Sequence, residues 1–414
     1  MTTFNPFNEK AAKVKDTFLN WKSMYPKSYD GETVSPFTKL RIILMNGTEY
    51  EAIWFSHQFQ RHCTDNDIRR ELALARRIEQ QQQKRVSMLK PIGEDILETT
   101  IGYEHLAVDL TAILAAREPN GYVKKALDFA LLEDFDHLYR YADLMDLERG
   151  VHAENLVGDY VEIMPGRPTI SEHRFPYDDV RRFTDNKTAD LITRLNIAII
   201  TAAEQQTMNY YQNQGQFYTS DLGRKLYSEI AMIEEQHVTH YGSLMDTRCT
   251  WLEENLFHEY VECYLYYSCM MDEEDKNIKK IWEEHLEQEI AHLHAAALLL
   301  EKYEKKHWQE VIPNGAFPEL LSFRSNKDYV RNVLRTVGLT SEKEDYKLVG
   351  DLPDNYEFFK YQDAVNRDVE SVASHKTIKK YIEDTGHDYR FEEEPHPVPQ
   401  LRDRTMDNTE VGRV

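Results

Sequence analysis

The sequence predicts an all-α protein built on a four-helix bundle, with additional helical hairpins at both ends. Three observations lead to this fold class. Apolar residues recur at helical spacing through most of the 414-residue chain, and no segment shows a strong strand pattern. One helical segment is repeated one hundred residues later without a gap. Each copy carries carboxylates in its apolar stripe, which indicates that the two copies share a polar core.

The repeated segment spans residues 127–146 and 227–246. A further carboxylate, Glu104 or Glu204, precedes each copy's own carboxylate by thirty residues. Each half therefore reads as a helical hairpin with a carboxylate on its first helix and a carboxylate-x-x-His motif on its second. The paired positions of the two copies are Asp134 with Glu234, His137 with His237, and Tyr141 with Tyr241.

Breaks in the helical pattern define the elements. A short amphipathic helix is expected at about 9–23. Pro91 and Gly93 end one long helix, and Pro119-Asn120-Gly121 forms a turn before another. The remaining helices are expected near 36–62, 66–90, 94–117, 122–148, 187–214, 219–247, 251–271, 273–306, 327–337 and 355–384.

Two stretches do not follow the helical pattern. Residues 150–186 contain several prolines and no helical period, and such long connections usually serve a specific role. Here the role would be to carry the chain back along the bundle. The tail from Phe391 is expected to be poorly ordered because it offers little apolar surface. The predicted organisation is N-terminal helices at 1–93, a di-metal bundle at 94–250, a hairpin at 251–310, and C-terminal helices with a polar tail at 311–414.

Composition limits the partners. The net charge of −22 argues against nucleic acid and anionic membrane surfaces. No stretch reaches the roughly 20 apolar residues of a membrane helix. The N-terminus shows no secretory signal, and the four cysteines form no Cys-x-x-Cys pair. We therefore expect a cytoplasmic protein without nucleic-acid or membrane partners.

The acidic positions explain why a metal is expected. Glu104, Asp134, Glu204 and Glu234 each have apolar residues around them at helical spacing, so they face the core. Four converging carboxylates would be strongly unfavourable without positive charge, and two divalent ions would supply that charge. Residues i and i+3 share a helix face, so His137 and His237 can reach the same ions. Carboxylate oxygens and imidazole nitrogens together suit iron or manganese.

A simpler explanation stays open. An acidic residue precedes a histidine by three positions six times in this chain, so the spacing alone is weak evidence. A decayed duplication could keep the same polar cluster through hydrogen bonds and bind no metal.

The motif set Glu104, Asp134-x-x-His137, Glu204 and Glu234-x-x-His237 resembles the ferritin-like di-iron carboxylate superfamily. That superfamily includes ferritins, rubrerythrins, ribonucleotide reductase small subunits, multicomponent monooxygenases, manganese catalases and aldehyde-deformylating oxygenases. The resemblance covers roughly residues 94–247 and implies a ferritin-like bundle with two ions held by these six residues. Asp134 departs from the usual glutamate, which would make the two metal positions inequivalent.

A rival set lies in the hairpin at 251–306. It consists of Glu262 (or Glu259), Glu289 and His292, with His285 one turn earlier. The first hairpin also has Glu51 and Glu79-x-x-Gln82, like a copy that lost its histidine. The site could combine the hairpins at 94–148 and 187–247, which the long crossover favours, or those at 187–247 and 251–306. A second bundle made of the first and last hairpins is the remaining alternative.

Tyr141 and Tyr241 follow the motif histidines by one turn. They are candidates for hydrogen-bond donors near the metal or for redox-active phenols, but core packing is the favoured explanation, since buried tyrosines commonly pack their rings and hydrogen-bond their hydroxyls.

We therefore expect an oxidoreductase that uses two Fe ions, or Mn or mixed Mn/Fe, to activate dioxygen or peroxide. The expected partners are a small organic substrate, an electron-donor protein and further copies of the chain in a homo-oligomer. The alternatives are ferritin-like iron oxidation and storage or peroxide detoxification, and a metal-free helical scaffold with a vestigial site.

Overall fold

The computed structural model describes residues 4–164, 166–167, 172–337, 339–368 and 371–386, and these residues are predominantly α-helical. The expected all-α class is confirmed. None of the described helices is both long and apolar enough to cross a membrane. The tail from Phe391 lies outside the described residues. The longer helices are α1 Pro36–His62, α2 Asn66–Ser87, α3 Ile96–Arg117, α4 Gly121–Arg149, α5 Leu191–Gln214, α6 Asp221–Gly242, α7 Trp251–Asp272, α8 Lys276–Glu304, α9 Lys327–Thr336, α10 Glu357–Val365 and α11 Ala373–Thr385.

Short polar side chains fix the starts of these helices. The Asp65 carboxylate accepts hydrogen bonds from the first amides of α2. Asp95 and Glu98 form a reciprocal capping box at the start of α3, and Asn120 caps α4. These caps satisfy amides that have no partner within their own helix. Gly150 ends α4 in a left-handed conformation, with φ of 63°, which glycine adopts without a side-chain clash.

The helix predicted at 9–23 is wrong. That segment has only a short 3-10 turn at Val14–Asp16. Its backbone instead bonds to side chains of neighbouring helices. Gln81 accepts from the Leu19 amide at 2.8 Å and donates to its carbonyl at 3.0 Å, and Gln288 donates to the Thr17 carbonyl at 2.8 Å. These contacts fix the segment without helical hydrogen bonds.

The sequence also failed to indicate a small β-hairpin. Strand β1, Leu339–Glu342, pairs antiparallel with strand β2, Asp345–Leu348. The turn between them uses Lys343 at φ of 50°. Asparagine and glycine are the residues that usually mark such a turn, so the sequence carries no recognisable signal here.

The chain divides into two compact units, each assembled from three stretches. The first unit comprises Met1–Glu94, Thr184–Gln206 and Met245–Phe323. It joins the N-terminal helices to the hairpin at 251–310, which the sequence analysis treated as separate segments. Within this unit, α1 packs on α2, α7 packs on α8, and α1 also contacts α7. Arg41 of α1 forms ion pairs with Asp272 at 2.8 Å and Glu273 at 2.9 Å.

The second unit comprises Asp95–Phe183, Thr207–Leu244 and Arg324–Val414. Helix α3 packs on α4, α6 contacts α4, and α11 lies against both α4 and α6. Its core contains fully buried aliphatic side chains from α3 and α4, among them Leu97, Ile101, Val108, Leu131 and Leu138. The acidic positions of α3, α4 and α6 lie among these side chains.

The crossover segment is fixed to the middle of α4. The amide of Gly166 donates to the Asp136 carboxylate at 2.9 Å, and the amide of Arg167 donates to the Leu132 carbonyl at 2.8 Å. Gly166 approaches the helix so closely that a Cβ atom there would lie 2.1 Å from the Leu132 carbonyl oxygen. Only glycine permits this approach.

Gly166→Ala should therefore lower the free energy of unfolding by about 1–3 kcal/mol, the usual cost of overpacking a tight contact. Urea unfolding followed by circular dichroism measures it. Gly121→Ala is the matched control, because a Cβ atom at the start of α4 meets no other atom within 4 Å. Equal stabilities of the two variants would contradict the tight packing of the crossover on α4.

Candidate metal centre

Three residues of the second unit converge from three helices. Glu104 of α3, His137 of α4 and Glu234 of α6 each offer a ligand atom, and these atoms lie within 4.8 Å of one another. All three side chains are at most 1% exposed. The structure thus brings together half of the six predicted ligands in one buried group, in a geometry that a single cation can span.

His137 lies between two carboxylates. Its Nδ1 atom is 2.9 Å from Glu234 Oε1, and its Nε2 atom is 3.5 Å from Glu172 Oε2. One side of the ring therefore faces the predicted ligands, and the other faces an acidic residue of the crossover segment. Burial opposes protonation of this ring, but the adjacent Glu172 and Glu234 carboxylates raise the pKa of His137 well above its usual value.

His237 has the same kind of environment. Its Nε2 atom is 2.8 Å from Glu133 Oε2. Its Nδ1 atom is 3.3 Å from Asp134 Oδ1 and 3.3 Å from Glu234 Oε2. Metal-binding histidines typically turn one nitrogen to the ion and donate the other N–H to a carboxylate. His237 is arranged in that way, and His137 turns its Nε2 atom toward Glu172 at 3.5 Å.

Two hydroxyl groups orient the remaining carboxylates. Tyr211 of α5 donates to Glu104 Oε1, and Thr111 donates to Asp134 Oδ2 at 3.1 Å. Glu104 Oε2 is buried and has no hydrogen-bond partner among the described residues. A buried carboxylate oxygen of this kind has a free lone pair for a cation, and oxygen and imidazole donors together fit iron or manganese.

The electrostatics of the cluster are uneven. Burial, with repulsion from Glu234 and Asp134, raises the pKa of Glu104 well above its usual value. Burial likewise raises the pKa of Asp134 to about 6. Burial acts in the same sense on Glu234, but hydrogen bonds from His137 and His237 outweigh it and lower the pKa of that carboxyl. The cluster therefore holds more carboxylates than its two imidazoles can neutralise.

Glu133 connects this cluster to buried arginines. Arg174 donates to Glu133 and lies 3.0 Å from Asp179, and Arg167 lies 3.5 Å from Glu133. Burial raises the pKa of Glu133, but Arg174 more than offsets this effect and lowers it to about 2. Glu133 is therefore an ionised acceptor for the His237 ring. The sequence analysis missed this residue, although it directly precedes Asp134.

Glu172, Arg167 and Arg174 were also missed. They lie in the crossover at 150–186, where no periodic pattern indicates which side chains face inward. All three are at most 1% exposed. The crossover therefore supplies polar residues to the cluster in addition to connecting α4 with α5.

The other predicted residues are also buried. Glu204 lies in α5, three residues before Thr207, where that helix enters the second unit. Tyr141 packs its ring 5.3 Å from Tyr211, and its hydroxyl has no hydrogen-bond partner among the residues that the structure describes. Tyr241 packs edge-on against the His237 ring at 6.4 Å.

The rival residues form groups within the first unit. Glu259, Glu262 and Glu289 offer ligand atoms within 4.8 Å of one another, and so do Glu79, Glu259 and His292. Glu51, which the sequence analysis took as the first hairpin's carboxylate, is partly exposed and pairs with His258. Glu49 is the buried carboxylate of α1, so the choice of Glu51 was wrong.

Comparison with known proteins leaves the site to be judged on its own geometry. No family model matches the chain, and no curated protein or solved structure matches it either.

Glu133→Gln should weaken divalent-metal binding in the second unit about 10- to 100-fold, the usual effect of removing a carboxylate behind a metal-binding histidine. Isothermal titration with Mn²⁺ or Fe²⁺ measures the affinity, and circular dichroism checks the fold. Glu235→Gln is the control, because Glu235 is exposed on α6 beside Glu234. Unchanged metal affinity in a folded Glu133→Gln variant would show that Glu133 only forms ion pairs with the arginines and does not support metal binding.

Proposed function

We propose that this chain is a ferritin-like oxidoreductase whose second unit binds two iron or manganese ions and uses them to activate dioxygen or peroxide. His137, His237, Glu104, Asp134 and Glu234 would hold the ions. Glu204 stays a prediction of the sequence analysis.

One observation carries the proposal. Each motif histidine has one ring nitrogen among the acidic residues of the motifs and the other nitrogen toward a carboxylate outside them. Glu172 takes that outer role for His137, and Glu133 takes it for His237. A polar cluster kept only for packing has no need to duplicate this arrangement, whereas metal sites depend on it to fix the tautomer and the ring orientation.

The surrounding residues suit redox chemistry on a small molecule. A bound pair of redox-active ions would supply electrons and open coordination positions for dioxygen or peroxide. Ile101, Val108, Leu131 and Leu138 are fully buried in the same core and exclude water from the cluster. Tyr211 fixes one oxygen of Glu104 and leaves the other available.

The metal-free scaffold is supported by a different observation. His137 already lies 2.9 Å from Glu234, and Arg174 already neutralises Glu133, so part of the acidic charge is compensated within the protein. Glu104 and Asp134 also lie in the cluster, and burial raises the pKa of each, so a proton or a metal ion must compensate these carboxylates. The oxidoreductase hypothesis predicts bound metal in the purified protein, whereas the scaffold hypothesis predicts none.

The double variant His137→Ala/His237→Ala should contain about two fewer ions per chain than the wild type after loading with Fe²⁺ or Mn²⁺ and desalting, since both imidazoles are lost. Elemental analysis measures the content. His152→Ala, an exposed histidine of the same unit, should retain full content. Equal metal content in the wild type and a folded double variant would reject the proposed centre and leave the scaffold.

Oxygen uptake distinguishes an oxygenase or oxidase from an iron store. The reduced, iron-loaded wild type should consume about one O₂ per di-iron centre, and the double variant should lose that uptake. Stopped-flow absorption and an oxygen electrode give the stoichiometry. Oxidation of many Fe²⁺ ions per chain with retention of the mineral would favour storage instead.

A further inference from the structure

The first unit repeats the spacing of the second. In both predicted hairpins, the second carboxylate follows the first by thirty residues, and two carboxylate pairs of the first unit have the same interval. Three residues after the second carboxylate of each first-unit pair, α2 carries a glutamine and α8 carries a histidine. The first-unit positions are Glu49 with Glu79 and Gln82, and Glu259 with Glu289 and His292.

A tyrosine confirms which carboxylates correspond. Tyr211 follows Glu204 by seven residues and donates to Glu104. Tyr266 follows Glu259 by seven residues and donates to Glu49. Glu49 therefore stands in the first unit where Glu104 stands in the second. The repeat is thus a feature of contacts as well as of sequence spacing.

The acidic residues of the first unit form two adjoining groups. Glu79, Glu259 and His292 offer ligand atoms within 4.8 Å of one another, and so do Glu259, Glu262 and Glu289. Glu259 belongs to both groups. A carboxylate shared in this way can bridge two cations.

Several ligand atoms of these groups are buried without a hydrogen-bond partner. His292 Nδ1 is 3.1 Å from Glu289 Oε2, which leaves its Nε2 atom without a partner among the described residues. Glu79 Oε2 and Glu262 Oε1 are likewise unpartnered there. These three side chains are at most 3% exposed, so water cannot easily satisfy them. They are unpaired donors and acceptors directed into one acidic core.

Two imidazoles lie close to the carboxylates of this core, and the charge of Arg76 also acts on Glu79. His292 contacts Glu289 and lies 3.7 Å from Glu259, and His258 lies 3.7 Å from Glu262. Glu49, Glu79, Glu262 and Glu289 share the same core, so two imidazoles face five carboxylates.

We propose that the first unit binds a second pair of divalent metal ions, held by Glu49, Glu79, Glu259, Glu262, Glu289 and His292. This inference does not rest on the function proposed for the second unit. The new centre has one ligating imidazole because Gln82 occupies the position of His137. The side-chain amide nitrogen of Gln82 donates to Glu289, and the amide oxygen of Gln82 has no partner among the described residues.

The donor set selects the kind of ion. Carboxylate and amide oxygens favour hard divalent ions, whereas imidazole favours iron, copper and zinc. A site with five carboxylates and one imidazole should therefore prefer Mn²⁺ more strongly than the two-histidine centre does. The two centres would differ in metal preference although they share one helical pattern.

A cavity of the same unit provides an approach. It has a volume of about 210 Å³, and its lining includes Thr48, Glu51, Glu254 and His258. The Glu51 and His258 side chains are 20% and 17% exposed, so this wall reaches solvent. His258 of the cavity lining also lies 3.7 Å from Glu262, so it connects the cavity with the acidic core. Most of the lining is apolar, and Glu51, Asp246 and Glu254 are the carboxylates on it that can attract a divalent cation.

The test uses the full chain with the second-unit histidines removed. The His137→Ala/His237→Ala variant should still bind about two Mn²⁺ per chain, measured by elemental analysis and by electron paramagnetic resonance. Adding Glu259→Gln and Glu289→Gln should abolish this binding. The matched control adds Glu283→Gln and Glu287→Gln, which are exposed on α8, and should keep it. Retained Mn²⁺ in a folded chain that carries all four substitutions, His137→Ala, His237→Ala, Glu259→Gln and Glu289→Gln, would overturn the proposal.

A gain-of-ligand variant tests the site without removing a buried charge. Gln82→His should raise the affinity for Co²⁺ at least about tenfold and change its visible absorption, because a second imidazole joins the oxygen donors. Gln80→His, exposed on the same helix, should do neither. Identical Co²⁺ spectra in both variants would overturn the placement of Gln82 at the site. The two proposals can fail independently, because the histidine variants remove only the second-unit ions and the Glu259→Gln/Glu289→Gln changes remove only the first-unit ions.

Discussion

Burial of like charges is the constraint on which both units depend. A carboxylate without a partner inside a protein costs several kcal/mol, and each unit places a group of them between helices. In the second unit, His137 and His237 lie among these carboxylates, and Arg174 compensates Glu133. In the first unit, His292 lies beside Glu289 and His258 lies beside Glu262. Charged side chains therefore occupy interior positions in both units where apolar side chains would otherwise pack.

The helices themselves could be predicted from local patterns. The breaks at Pro91, Gly93 and Pro119 separate elements whose observed limits differ from the expected ones by only a few residues. The motif residues of α3, α4 and α6 are buried, as their apolar surroundings suggested. The hundred-residue repeat, together with the apolar surroundings of each carboxylate, also predicted that Glu104, His137 and Glu234 would converge.

The missed residues share a physical cause, because tertiary contacts fix them. Glu172 and Arg174 reach the cluster from an irregular segment whose path depends on the close approach of Gly166 to α4. The N-terminal segment near Leu19 takes its hydrogen bonds from Gln81 instead of forming a helix. Glu49 was overlooked in favour of Glu51, although the thirty-residue interval to Glu79 selects it. That last error lay in reading the sequence, since the signal was present.

The order of the stretches along the chain has a consequence for synthesis. The first unit needs α1 and α2 as well as α7 and α8, yet every residue between Ser87 and Trp251 is made in between. The first hairpin therefore leaves the ribosome long before the helices that cover its apolar and acidic face. During that interval the second unit can gather α3, α4 and α6, but α9 to α11 are still to come. Neither unit is a contiguous fragment, so the native chain completes its folding only after its last helices have been made.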